Sequence, residues 1–120
     1  MGNLRNDKIL FWLVETFQSP PLSDDARVEA GVLLRRLQQG ESIGMPHSRP
    51  MPSVGKRCHE LRIQDKNVTW RVIYRIDSDA IVIVDWFDKK TQITPKSLIT
   101  LCKKRLVNYD AICLKAAMRK

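Results

Sequence analysis

The strongest constraint on the fold is a middle segment in which three strand-like runs follow one another across short polar turns. Cys58–Gln64 and Thr69–Ile76 alternate between apolar and polar residues, and Ala80–Phe87 is apolar almost throughout. Alternation with a period of two predicts strands with one covered face, and the third run is typical of a strand covered on both faces. The intervening turns, Asp65–Asn67 and Asp77–Asp79, are short enough to favour antiparallel neighbours. The sequence therefore predicts an antiparallel three-stranded meander.

One strand and one helix are predicted before this meander. Lys8–Val14 is a short run of aromatic and branched residues that predicts a first strand. A helix is expected between Ser23, a suitable N-cap, and Gly40, which can adopt the positive φ of a helix end. Its apolar stripe comprises Ala26, Ala30, Leu33, Leu34 and Leu37.

A second helix is expected near the C-terminal end of the sequence. Thr94 is placed to cap it, and Pro95 stands at its first helical position. Its apolar side comprises Leu98, Cys102, Leu106, Tyr109, Cys113 and Ala116. The resulting order β-α-β-β-β-α predicts an α+β fold with a small antiparallel sheet.

Length and composition fit a single domain over residues 1–120, with 111–120 as a candidate frayed basic tail. The longest apolar runs are far shorter than the ~20 residues that a membrane span requires. The three cysteines are odd in number and irregularly spaced, which is not the pattern of a disulfide framework. We therefore expect a cytoplasmic protein that does not associate with a membrane.

The positive charge is concentrated at one end of the chain. The formal net charge is +8, but residues 1–88 carry 12 basic and 12 acidic side chains. Residues 89–120 carry nine basic side chains and one acidic side chain, so this segment accounts for the whole excess. Such a bias favours docking on a polyanion, with nucleic acid as the first candidate, although a solvated polar helix face is a common alternative.

Three arginines fall on one face of the predicted meander. Arg62, Arg71 and Arg75 occupy alternating positions of neighbouring strands, where side chains lie within ~5–8 Å of one another. They could grip phosphates through bidentate guanidinium contacts. Glu60 and Asp85 could instead neutralise them in a salt-bridge cluster, and the residues alone leave both interpretations open.

Two histidines are the candidates for moving protons. His47 lies in the long proline-containing loop Ser42–Arg57, which borders a site or simply connects two elements. His59 falls on the apolar side of its strand, where a packed histidine is the more common case. The sequence contains no hydrolase elbow, phosphate-binding glycine loop or metal-ligand spacing, so no metal or other cofactor is expected.

The order of short motifs resembles the RelE/ParE toxin superfamily, and within it the phage-derived HigB-like branch. The motifs are Met45-Pro46-His47 in the loop, Glu60-Leu61-Arg62 in one strand and Arg71–Tyr74 in the next. They continue with Phe87–Gln92 and Thr94-Pro95 before the basic helix. The resemblance covers about half of the chain and implies a RelE-like α+β fold.

The resemblance implies the toxin of a type II toxin–antitoxin pair, which acts as a ribosome-dependent mRNA endonuclease. In such enzymes the RNA 2′-hydroxyl attacks the adjacent phosphate without a metal or other cofactor. By position, Arg62 and Arg71 would hold that phosphate, while Lys89 and Lys90 would stabilise the developing charge or transfer protons. Further phosphate and RNA contacts are expected from Arg75, Lys96, Lys103, Lys104 and Arg105.

The expected partners are the ribosome, mRNA and a cognate antitoxin, of the helix-turn-helix, HigA-like type. The identity of the general acid and base stays open between His47, His59 and the lysines. Two other functions also stay open: a ParE-like inhibitor of DNA gyrase that is not a nuclease, and a non-toxic module of the same fold that binds nucleic acid or a protein.

Overall fold

The computed structural model describes residues 7–89 and 94–119, without the side chain of Lys89. A five-stranded sheet in the order β1-β5-β4-β3-β2 separates two helices. The elements are β1 Ile9–Trp12, α1 Asp24–Gln38, β2 Ser48–Pro50, β3 Cys58–Gln64, β4 Thr69–Ile76, β5 Ala80–Lys89 and α2 Lys96–Met118.

The predicted α+β class and the antiparallel meander are confirmed. The meander is formed by β3, β4 and β5, with bounds close to those of the three sequence runs. Two features differ from the predicted order: β2 is an additional edge strand, and β1 pairs with β5 in parallel, so the sheet is mixed. Three residues that end in a proline are too few to show an alternation, which is why β2 leaves no periodic signal.

Each face of the sheet is covered by one helix. The complete predicted stripe of α1 is buried against one face, together with Leu61, Ile63 and Val72. The other face packs Ile73, Val82 and other apolar residues against Cys102 and Leu106 of α2. Alternation along β3 and β4 sends side chains to these two cores in turn. Arg62 and Arg71 therefore lie on the α2 side of the sheet.

A β-bulge in β5 changes which of its residues face α2. Ile73 pairs with Asp85 and Tyr74 pairs with Ile83, so Val84 is an extra residue without an opposite partner. Beyond the bulge the alternation is shifted by one, and Phe87 packs on the α2 side. Phe87 is directly opposite Arg71, and Lys89 is opposite Thr69. The bulge thus brings the end of β5 onto the same face as the arginines.

The helix termini agree with the sequence for α1 but not for α2. Ser23 accepts a hydrogen bond from the Ala26 N–H at 3.1 Å, and Gly40 has a φ of 91° at the other end. For α2 both expected positions are wrong: the cap position is Pro95, which has no side-chain hydrogen bond, and the first helical residue is Lys96. The Thr94 hydroxyl donates to Glu60 at 3.4 Å instead, because a buried carboxylate is a stronger acceptor.

The distal part of α2 extends away from the sheet. The helix continues to Met118, into the segment 111–120 in which fraying was expected, and residues 110–119 are all exposed. Cys58 and Cys102 are buried, whereas Cys113 is exposed on this distal part. Burial raises the pKa of the Cys102 thiol to about 12. Within the described ranges, neither helix combines the length and apolar character needed to cross a membrane.

Candidate functional site

Arg62 and Arg71 are direct cross-strand neighbours. They pair in the register of β3 and β4, which brings their β-carbons to within about 5 Å of each other on one face. Two like charges in this arrangement repel each other unless counter-charges lie close by. The distribution of carboxylates around them therefore decides what this pair can do.

Glu60 is the buried carboxylate that positions this cluster. Its side chain is fully buried, and one of its oxygens accepts hydrogen bonds from Arg49 Nε at 3.0 Å and Arg71 Nη1 at 3.1 Å. Its other oxygen accepts from the Thr94 hydroxyl. Glu60 thus fixes the Arg71 guanidinium while it also bonds Arg49. Among the described residues, Arg62 has no such carboxylate.

Two buried donors of the arginine pair have no acceptor. Arg62 Nε and Arg71 Nε are both shielded from solvent and have no hydrogen-bond partner within residues 7–89 and 94–119. Burial lowers the pKa of the Arg71 guanidinium, and the Glu60 carboxylate opposes this shift. A buried donor without an acceptor costs about 1–3 kcal/mol. An anion that received these N–H groups would remove that cost.

The pair opens into a cavity of about 370 Å³ that also contains one of the two predicted histidines. Its lining residues are Glu29, Pro46, His47, Arg62, Gln64, Thr69 and Arg71. The backbone N–H of Arg62 donates to the His47 carbonyl at 2.7 Å, and this bond holds the proline-containing loop against β3. The His47 side chain is exposed at this cavity, beside two guanidinium groups. The cavity therefore combines cationic donors with an imidazole.

Of the two lysines expected at this site, only the backbone of Lys89 belongs to the described part of the chain. The backbone of Lys89 pairs with Thr69, a lining residue of the cavity. Its position at the end of β5 thus lies beside Thr69 on the sheet. Lys90 lies outside the described residues. The roles inferred for both lysines stay predictions.

Arg75 lies apart from the other two arginines. It is four residues, or roughly 13 Å, further along β4 than Arg71. Its guanidinium forms bidentate hydrogen bonds with Asp77 and with Asp110 of α2, at 2.8–3.0 Å. The bonds to Asp110, together with those to Asp77, raise the pKa of Arg75 although burial opposes this shift. This arginine joins the end of the meander to α2.

His59 lies on the opposite face of the sheet from the cavity. Its ring stacks on Tyr74 with 5.3 Å between the ring centroids, and its Nδ1 lies 3.2 Å from the Arg57 carbonyl. Arg62 and Arg71 face α2, whereas Tyr74 belongs to the core under α1. Of the two histidines, the structure therefore brings His47 and not His59 to the arginine pair.

The four α2 cations expected to contact phosphate or RNA divide into one anchored residue and three solvated ones. Arg105 donates to the Val84 carbonyl at 2.8 Å and lies 3.4 Å from Asp85, so it fastens α2 to the bulge of β5. Asp85 thus bonds Arg105 and not the arginine pair. The solvated residues are Lys96, Lys103 and Lys104.

The sequence patterns do not predict that Arg49 and Thr94 bond Glu60. Arg49 lies in β2, whose pairing with β3 places it directly opposite Glu60. An arginine between prolines carries no local signal, but a glutamate inside an apolar strand does indicate buried partners. Within the described part of the chain, no His, Cys, Asp and Glu side chains are grouped as a metal site would require.

Comparison with known proteins identifies the family of the chain. A family model described as phage-derived protein Gp49-like (DUF891) matches residues 20–107. The match includes α1, the cavity residues and most of the body-facing part of α2. No curated protein matches the chain. Because the family model covers well over half of the sequence, the chain belongs to the phage-derived Gp49-like family, a toxin-like family of toxin–antitoxin systems.

Proposed function

We propose that this protein is a ribosome-dependent mRNA endonuclease, the toxin of a type II toxin–antitoxin pair in the HigB-like branch of the RelE superfamily. The observation that carries the proposal is the arginine pair, with two buried N–H donors that lack acceptors beside an exposed His47. Buried unsatisfied donors are rare in folded proteins and are often explained by an absent ligand. A phosphate diester supplies acceptors of the right charge and geometry.

The two arginines have different tasks in this proposal. Glu60 holds Arg71 in one orientation, so its guanidinium meets the phosphate without further ordering. Arg62 has no internal ion pair among the described residues, so its charge is fully available to the phosphate. As charge develops on the phosphoryl oxygens, both guanidinium groups stabilise it more strongly than they stabilise the ground state.

The reaction is an attack of the RNA 2′-hydroxyl on the adjacent phosphorus. The new bond forms a 2′,3′-cyclic phosphate, the bond to the 5′ oxygen breaks, and the following nucleotide leaves with a 5′-hydroxyl. One proton must leave the 2′-hydroxyl and one must reach the 5′ oxygen. His47 serves as one of these proton-transfer groups because its imidazole is exposed at the cavity and a ring nitrogen can accept or donate a proton. Lys89 or Lys90 supplies the second group or further charge stabilisation.

The cationic segment, residues 89–120, has a separate task, which is to hold the enzyme on the ribosome. Lys96, Lys103 and Lys104 are exposed on α2 and provide salt-sensitive attraction to ribosomal RNA. The arginine pair acts only after this docking. The cognate antitoxin, which we expect to be of the HigA-like type, keeps the enzyme inactive in the cytoplasm.

Induction of the protein in a bacterial host tests this proposal. We expect growth arrest and mRNA fragmented within codons, and we expect Arg62→Ala to abolish both effects. Arg27→Ala is the matched control, because Arg27 is exposed on α1 and does not line the cavity.

The pattern of damage separates the proposal from its alternatives. Intact mRNA together with DNA breaks would indicate a gyrase inhibitor and would contradict the proposal. Normal growth at full expression would indicate a non-toxic binding module and would also contradict it.

A further inference from the structure

Helix α2 carries a second apolar stripe that the sheet does not cover. The body-facing stripe contains Cys102, Leu106 and Tyr109, which pack against β5 and the loop before β3. The second stripe consists of Val107, Ala111, Leu114 and Met118. These positions are four, three and four residues apart, so they form one line along the helix, nearly opposite the first stripe.

The second stripe is open to solvent over its whole length. Val107 is 66% exposed, Leu114 is 62% exposed and Met118 is 76% exposed. It spans twelve residues, or about 16 Å, which matches three turns of a second helix. A contiguous apolar line of this kind on a water-facing helix is typical of a surface that another protein covers.

Cations lie on both sides of this stripe. At 100° per residue, Lys104 and Lys115 fall on one side and Lys103 falls on the other. The acidic residue of α2 is Asp110, and Arg75 already bonds both of its oxygens. Lys103 forms no ion pair with any described residue. A partner surface with carboxylates on both sides of an apolar line would complement this pattern.

The stripe continues into a basic cleft at its inner end. The cleft has a volume of about 420 Å³ and lies between α2 and the loop before β3. Its charged lining residues are Lys56, Arg57, Arg75, Lys103 and Asp110. Val107 belongs to both the cleft and the stripe, so a partner on the stripe would reach the cleft with an acidic side chain.

Charge distinguishes between the occupants that could cover the stripe. A second copy of α2 would bring Lys103, Lys104 and Lys115 against the same three lysines, and like charges across an interface are strongly unfavourable. RNA would satisfy the lysines but would leave Leu114 and Met118 exposed or against phosphates. An amphipathic helix with acidic sides satisfies both the apolar line and the cations.

We propose that the outer stripe of α2, from Val107 to Met118, is the docking surface for an acid-flanked amphipathic helix of a partner protein. In the proposed function this partner is the antitoxin, and that identification rests on the proposed function. The docking surface itself rests on the stripe, the flanking lysines and the cleft. It lies apart from the arginine cavity, whose lining residues all precede α2 in the chain.

Binding of a synthetic helix to the full chain tests the docking surface. The probe is a peptide of about 20 residues with leucines at alternating steps of three and four, flanked by glutamates on both sides. We expect it to bind, and we expect the variant Leu114→Ala/Met118→Ala to bind it about tenfold or more weakly. Ile112→Ala is the matched control, since Ile112 is 66% exposed on the same helix but lies off the stripe. It should change binding by less than about twofold.

Further arms of the experiment distinguish the other occupants. Failure of the peptide to bind the wild-type chain, or equal losses for Leu114→Ala and Ile112→Ala, would overturn the proposal. A dimer in sedimentation that Leu114→Ala dissociates would assign the stripe to a second copy and overturn it too. So would single-stranded RNA whose binding depends on Leu114. None of these variants touches the arginine cavity, so absence of RNA cleavage with intact peptide binding would contradict only the endonuclease function.

Discussion

Arg62 and Arg71 face each other across two neighbouring strands. The buried carboxylate of Glu60 bonds Arg71 directly. Such an arrangement costs stability, since like charges directly opposite each other destabilise a sheet. A buried donor without an acceptor calls for an explanation, and a bound anion is the one that we propose here. The repulsion within the pair is therefore the residue-scale evidence for an anion site.

Replacement of Arg62 by glutamine separates this function from the fold. Because Arg62 has no ion pair among the described residues, Arg62→Gln should leave the free energy of unfolding unchanged or raise it by about 0.2–1 kcal/mol. The same variant should slow RNA cleavage by about 100-fold. Urea denaturation and a cleavage assay measure the two effects. A clear loss of stability, or full cleavage activity, would show that Arg62 belongs to the scaffold.

Replacement of Glu60 has the opposite signature. Glu60→Gln leaves Arg71 and Arg49 buried or half-buried without a counter-charge, so it should lower the free energy of unfolding by about 3 kcal/mol or more. Glu41→Gln is the matched control, because Glu41 also accepts from an arginine Nε at 3.0 Å but is exposed. Its cost should stay below about 1 kcal/mol. Equal losses in thermal or chemical denaturation would refute a central role for Glu60.

The sequence predicts individual side-chain positions where they follow from local alternation. Glu60 and Arg62 share a face because the period of a strand requires it, and the pairing of β3 with β4 adds Arg71 to that face. The pairing of Arg75 with Asp110 could not be predicted, because the two residues are 35 positions apart in different elements. Whether a guanidinium binds a ligand or an internal carboxylate thus depends on tertiary contacts that no local pattern encodes.

At the scale of elements, α1 was fully predictable and the ends of β5 and α2 were not. The cap, the stripe and the terminal glycine of α1 all have local sequence signals. The bulge at Val84 has none, because it appears only in the register between β4 and β5. It nevertheless brings Phe87 opposite Arg71 and so determines which part of β5 borders the site.

Two leucines of α2 distinguish its anchored part from its free part. Leu106 is 5% exposed and Leu114 is 62% exposed on the same helix. Leu106→Ala should lower the free energy of unfolding by about 2–5 kcal/mol, because it leaves a cavity against β5. Leu114→Ala should change it by less than about 0.5 kcal/mol in the isolated chain. Similar losses in denaturation would mean that the outer stripe is part of the core.

At the scale of the whole molecule, charge and chemistry occupy different regions. Residues 1–88 are neutral in sum and hold the arginine cavity, whereas residues 89–120 carry the entire +8. Diffuse cationic segments give salt-sensitive attraction, while a buried pair acts at short range. Net charge therefore favours a polyanionic partner, whereas the position of the arginine pair follows only from the fold.

Ribosome binding should follow the charged segment rather than any one residue in it. We expect affinity for ribosomes to fall by more than about tenfold between roughly 50 and 200 mM salt, because several phosphates are neutralised at once. Lys103→Ala alone should weaken binding by only about twofold to threefold, since Lys103 is one of several exposed cations. A filter-binding or sedimentation titration measures both effects, and salt-independent binding would contradict this division of tasks.

The proposed mechanism is an attack of the RNA 2′-hydroxyl on a phosphate held by Arg62 and Arg71. Its most direct test is cleavage of a defined mRNA on purified ribosomes, with the nucleotide before the cleaved bond in either ribo or 2′-deoxy form. We predict rapid cleavage of the all-ribose message to a 2′,3′-cyclic phosphate, no cleavage at the 2′-deoxy position, and a loss of about 100-fold with Arg62→Gln. Equal cleavage of the 2′-deoxy message, or an intact all-ribose message at saturating protein, would contradict this mechanism.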